Sequence, residues 1–162
     1  MGSLALPFAT IFLSSWMGMI QVPGFVHMIP DYGLCAVFFW SLYRPDLIPL
    51  GFLFFIGLII DVLSGKILGQ TPLMWFLVYW LVISQRRILV KANFMMVWAA
   101  FSFVFFVYEA LTWCGMSFMG KRFVSIFPSL IHFLLTVGVY PFMTFFLITL
   151  RKSFSIKVSK ET

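Results

Sequence analysis

Apolar residues run in six long blocks along the chain, separated by short clusters of proline, glycine and charge. The first block covers about 4–22 and is broken by Pro23, Gly24 and Pro30. The second, about 28–43, contains YGLCAVFFWSLY; Asp31 is placed to cap it, and Arg44-Pro45 ends it, since proline disfavours helix at the residue before it. The third covers about 46–64 and runs into a turn from Gly65 to Gln70. Thr71-Pro72 predicts the next helix start, with threonine as cap and proline at the first helical position. That fourth block, about 72–85, stops at Arg86, Arg87 and Lys91. Asn93 can cap the fifth, about 94–117, and Gly120-Lys121-Arg122 mark the following turn. The sixth covers about 125–150, with Pro128 near its start and Pro141 inside it. Pro141 removes the hydrogen bond to Val137, which predicts a kink.

The blocks are apolar on all sides. Strands of a membrane barrel would instead alternate apolar and polar residues over about ten positions. Each block approaches the roughly 17–25 residues that carry a helix across a bilayer. The pattern therefore predicts an all-α integral membrane protein of about six transmembrane helices, residues 1–150, with a basic tail at 151–162. Composition agrees, with 62% hydrophobic and 10% charged residues among 162. A soluble domain carries roughly 25% charged residues. Six spans with short connections leave no room for a soluble catalytic domain. The first six residues hold no Lys or Arg, so the first block reads as a retained helix and not a secretory leader.

The net charge of +6 acquires meaning from its distribution. Arg44, then Arg86, Arg87 and Lys91, then Arg151, Lys152, Lys157 and Lys160 fall on one side if the blocks alternate. Lys66, Lys121 and Arg122 fall on the other. Eight of eleven basic residues thus place the 86–91 loop and the C-terminus in the cytoplasm. The N-terminus joins them if the short second block spans; charge alone does not separate five spans from six. Leaving twelve uncharged residues in water is costly, which favours six. Nucleic acid is not an expected partner, because the basic residues sit between apolar runs.

Few residues could carry chemistry. Cys35 and Cys114 lie inside apolar runs, with no Cys-x-x-Cys and no metal-ligand spacing, and read as packing residues. His27 and His132 are each isolated in sequence. Phenylalanine and tryptophan read as lipid-facing bulk and, for the tryptophans, as interface belts. Asp61 and Glu109 are the two acids within apolar runs. A carboxylate at mid-membrane costs roughly 2.5–3.5 kcal/mol. Each acid could serve a partner or ligand contact, or a structural hydrogen bond. Asp61, three residues before the turn, is expected near the outer interface and partly solvated; Glu109 is expected deeper. Gly57, Asp61 and Gly65 share one helix stripe, which predicts a close helix–helix seam with one polar pin. No catalytic residue, metal site or cofactor is expected.

The segment Gly57-Leu-Ile-Ile-Asp61-Val-Leu-Ser-Gly65-Lys-Ile-Leu-Gly69 resembles the signature of the MreD family of rod shape-determining proteins. Pro30-Asp31, Arg44-Pro45, Glu109 after an aromatic stretch, Tyr140-Pro141 and Arg151-Lys152 fit that family's order and spacing. The resemblance implies a multi-pass protein of the bacterial inner membrane, without enzymatic activity. Its fold would be similar to the substrate-binding subunits of energy-coupling factor transporters. It implies partnership with MreC, a single-span protein, and work alongside the MreB filament and the glycan polymerase–transpeptidase pair. Gly57, Asp61, Gly65, Gly69, Glu109 and Pro141 are the candidate packing or partner-contact residues. A transporter subunit that binds a vitamin or metal is the alternative; it would need convergent polar groups in an open pocket.

Overall fold

The computed structural model describes residues 2–18, 29–65, 68–120 and 126–158. His27, Pro23, Gly24 and the three basic residues Lys66, Lys121 and Arg122 lie outside them. Six α-helices are described: α1 (Gly2–Met17), α2 (Tyr32–Tyr43), α3 (Leu50–Ser64), α4 (Gln70–Leu89), α5 (Phe94–Gly120) and α6 (Ile126–Val158). A short 3₁₀ turn, Pro45–Leu47, joins α2 to α3.

Helix α2 is the axis of the bundle. It packs against α1, α4 and α6, while α3 lies on α4, α5 bridges α4 and α6, and all of α2 from Gly33 to Leu42 is buried. At about 1.5 Å per residue its twelve residues extend only about 18 Å, short of the roughly 30 Å hydrocarbon core. Its shortness is tolerable because protein, not lipid, surrounds it. Asp31 caps its start by accepting the Leu34 N–H at 2.9 Å, as the sequence predicts. At its other end Arg86 of α4 donates Nε–H to the Leu42 carbonyl at 3.0 Å, satisfying a terminal acceptor that the Arg44-Pro45 break leaves open.

Aromatic packing fills the space around α2. Phe38 meets Phe101 and Tyr140 edge-on, and Phe101 stacks on Tyr140 at 4.0 Å between centroids. Trp40 and Trp75 are core residues, not members of an interface belt. Trp40 is held there by a 2.9 Å bond from its indole N–H to the Thr10 hydroxyl. The outside of the bundle is the reverse of a soluble surface. Trp80, Met95, Phe145 and Phe142 are 68% to 77% exposed. Contiguous apolar surface of this kind is unfavourable in water and suits lipid. Phe94–Gly115 and Phe127–Leu150 are long and apolar enough to cross a membrane, with mean hydropathies of 1.8 and 2.0.

Several boundaries depart from the sequence reading: α2 begins at Tyr32 and not at 28, α4 continues past 85 through Arg86 and Arg87 to Leu89, and α5 continues past 117 to Gly120. Helix α3 begins at Leu50, because Pro45 and Pro49 hold the preceding residues in the 3₁₀ turn and in extended backbone. Helix α4 begins at Gln70, with Gly69 in the cap position, so Thr71 and Pro72 sit within its first turn. Helix α6 continues beyond residue 150 to Val158.

Helix α6 also runs without a break through Pro141. The Val137 carbonyl that Pro141 cannot serve is taken by the indole N–H of Trp98, on α5, at 3.0 Å. The proline thus creates an acceptor that locks α5 to α6. Trp98→Phe should destabilise the protein by about 1 kcal/mol, the usual net value of such a bond. In a Pro141→Ala background the loss should shrink, because alanine restores the in-helix donor. Thermal unfolding of both single variants and the double variant in detergent measures the coupling; additive losses would exclude it.

Candidate functional site

The turn between α3 and α4 is built from the signature segment. Helix α3 ends on Gly65, whose left-handed backbone (φ 63°, ψ 24°) returns its N–H to the Asp61 and Val62 carbonyls. Gly69 is also left-handed, at φ 92°, and opens α4. These two glycines supply backbone shapes that L side chains seldom adopt. A Cβ at either would meet nothing within 4 Å, so neither belongs to a close helix seam. Gly57 does. A Cβ there would lie 2.8 Å from the ring nitrogen and Cδ of Pro72, so α3 and α4 touch backbone to backbone at this point.

Asp61 lies beneath that turn, 0% exposed and not partly solvated as expected from its place in the sequence. Its Oδ2 accepts the N–H of Gly69 at 2.9 Å and of Thr71 at 3.1 Å, and Oδ1 also faces the Thr71 N–H at 3.2 Å. Gly69 is the cap residue of α4 and Thr71 lies in its first turn, where backbone N–H groups have no partner within the helix. The positive end of the helix dipole also favours the carboxylate. The acid therefore closes one helix terminus from another helix.

A second polar cluster lies beside it. Asp31, besides capping α2, takes the Tyr108 hydroxyl of α5 at 3.5 Å, and its backbone N–H donates to the Thr136 hydroxyl of α6 at 3.2 Å. Glu109 follows Tyr108 and pairs with His132 of α6, Oε2 to Nδ1, at 3.3 Å. Sequence reading took His132 and Glu109 as isolated. They lie at unequal distances from the 121–125 connection, so hairpin symmetry does not pair them; only the packing of α5 on α6 brings them together. Ser15, Asp31, Ser64, Thr71, Trp75 and His132 line a cavity of about 90 Å³ at this end of the bundle. Arg44, Arg86, Arg87 and Lys91 gather near the opposite ends of α2 and α4.

Several hydroxyls near these clusters are committed to the backbone. Ser14, Ser102, Thr112, Thr136 and Thr149 each donate their hydroxyl proton to a backbone carbonyl one turn earlier, which leaves no base-activated nucleophile among them. Among the described residues no three of His, Cys, Asp and Glu come together as metal ligands. Cys35 is buried and Cys114 exposed, and they form no disulfide.

No curated protein and no solved structure matches this chain. The sequence model of the rod shape-determining protein MreD does, over residues 3–150. That stretch takes in the Gly57–Gly69 turn, the Asp31 cluster, Trp98 and Pro141, and so this membrane protein belongs to the MreD family of rod shape-determining proteins.

Proposed function

We propose that this chain is a non-enzymatic component of the bacterial cell-elongation complex, supporting lateral peptidoglycan synthesis through an MreC-like single-span protein and the associated synthases. The family match over nearly the whole chain carries the reading. The structure is compatible with it: a buried polar framework that fixes helix positions, and a wide apolar exterior available to lipid and to other membrane helices. Six spans in the inner membrane, the likeness to energy-coupling factor substrate subunits, and contact with the MreB filament belong to this proposal.

Deletion should turn rods into round cells, and the tagged protein should co-purify from native membranes with a single-span MreC-like chain. Normal shape with loss of uptake of one vitamin would replace this reading with the transporter alternative.

Orientation is part of the same proposal. Reporter fusions after Lys91 and at Thr162 should report cytoplasm, because eight of the eleven basic residues share that side. Periplasmic activity at either point would overturn it. A fusion at Met1 should report cytoplasm as well if α2 counts as a span.

A further inference from the structure

We propose that the cavity lined by Asp31, Ser15 and Trp75 binds a small amine with a hydroxyl or carbonyl beside it, the ethanolamine class. This goes beyond the role in cell shape and rests on different observations.

Two residues that line the cavity each carry a polar atom with no partner. The indole N–H of Trp75 and the hydroxyl of Ser15 are buried and unbonded. Trp75 is 2% exposed and Ser15 8%. Buried donors without acceptors are rare in native proteins, and each calls for an occupant that accepts. The backbone is shaped to bring them together. Gly33, in the first turn of α2, has Ser15 Oγ 2.5 Å and Trp75 Cζ2 3.3 Å from where its Cβ would stand. A side chain there would force the Ser15 hydroxyl to turn away and press on Trp75.

Charge selects the rest of the ligand. Asp31 lines the cavity, and its two protein donors, Leu34 N–H and the distant Tyr108 hydroxyl, leave carboxylate acceptor capacity unused. Glu109 stands behind His132 at the wall. Among the described residues no Lys or Arg lines the cavity. Among the described lining residues an anion meets the Asp31 carboxylate with no Lys or Arg beside it, whereas an ammonium gains a charge-assisted bond. A bare metal ion leaves the Trp75 N–H unserved, since a donor does not ligate metal. An amine with a neighbouring hydroxyl serves both: nitrogen to Asp31, oxygen to Trp75 and Ser15. The volume, about 90 Å³, is several times the roughly 10–15 Å³ that one water needs, and it admits a molecule of a few heavy atoms. A free amine and the headgroup of phosphatidylethanolamine present the same chemistry.

The test uses the purified full chain. Thermal unfolding in maltoside detergent is followed during titration with ethanolamine, with sodium acetate and glycerol as controls. In parallel, the protein in nanodiscs of mixed phosphatidylethanolamine and phosphatidylglycerol is assayed for retained lipid by native mass spectrometry. Trp75→Phe keeps the ring and removes the N–H; Asp31→Asn keeps a good helix cap and removes the charge. Ethanolamine should raise the melting temperature saturably and the controls should not. Each variant should weaken binding about tenfold, the loss expected of one buried hydrogen bond. A lipid source shows as retention of phosphatidylethanolamine over phosphatidylglycerol, lost in both variants and displaced by free ethanolamine. A free-amine source shows the melting shift without lipid preference. No saturable shift together with equal retention of the two lipids overturns the proposal. So does a shift or lipid preference that both variants keep, which would place binding elsewhere. Neither result depends on cell shape.

Discussion

Gly57→Leu should all but remove the protein from the membrane and abolish rescue of rod shape in a deletion strain. The Cβ of any residue at this position would stand 2.8 Å from the ring nitrogen of Pro72 and 2.9 Å from its Cα. Those atoms are backbone and a closed ring, so no rotamer change on α4 makes space. Overpacking a well-filled site costs typically about 1–3 kcal/mol when side chains can yield. Here α3 and α4 must separate, and the separation pulls Asp61 from the α4 terminus. In lipid there is little hydrophobic drive to bring two helices back together, so close packing carries the contact. Gly57→Ala should show a reduced form of the same defect. Gly65→Leu acts differently. Its space is open, and its cost is the left-handed backbone, about 1–2 kcal/mol for an L residue. Membrane abundance should therefore fall in the order wild type, Gly65→Leu, Gly57→Leu. Equal abundance of Gly57→Leu and wild type would exclude the contact.

Asp61→Ala should be comparably damaging, and Asp61→Asn much milder. Alanine leaves the buried Thr71 N–H and the half-buried Gly69 N–H without acceptors, at about 1–3 kcal/mol for the buried one and less for the other. It also leaves a void where a fully buried side chain stood. Asparagine can place its carbonyl oxygen where Oδ2 now accepts both N–H groups. Its amide then replaces Oδ1, which makes only the longer 3.2 Å contact with Thr71. The charge is lost, along with its favourable interaction with the α4 terminus, worth roughly 0.3–1 kcal/mol, more where partly buried. Thermal unfolding and membrane abundance of the two variants should separate clearly, with Asp61→Asn still supporting rod shape. If Asp61→Asn is made in normal amounts but does not restore shape, the carboxylate has a task beyond closing the turn.

Gly57 and Asp61 were both legible in the sequence, but only in part. Glycine on both sides of an acid at helical spacing pointed to a seam with a polar pin. The seam exists at Gly57, but Gly65 and Gly69 owe their identity to backbone angle. Spacing does not distinguish the two uses of glycine, because both put it at a helix end or face. Likewise the acid was placed near the turn, but its burial depended on where α4 starts. Thr71-Pro72 has the composition of a cap and first position, but Gly69 takes the cap because Asp61 reaches across from α3 to the N–H groups there. A local rule gave way to a contact between helices.

Apolar patterning alone was enough to give the class of molecule and its helices. Apolar blocks of this length have one stable state in lipid, in which every backbone group bonds within its own segment. Asp31 as the cap of α2 and Arg44-Pro45 as its end were legible for the same reason, since both act within one turn. The signature segment also sufficed to identify the family. Tertiary structure alone decided which helix lies at the centre, because α2 and its neighbours have similar composition and only contact shows which is enclosed. It alone paired Glu109 with His132, gave Val137 a donor in Trp98, and left Trp75 and Ser15 facing a cavity without partners. Each of these joins residues far apart in the chain, and the geometry of such pairs is set by how helices pack, which periodicity within any one helix does not encode.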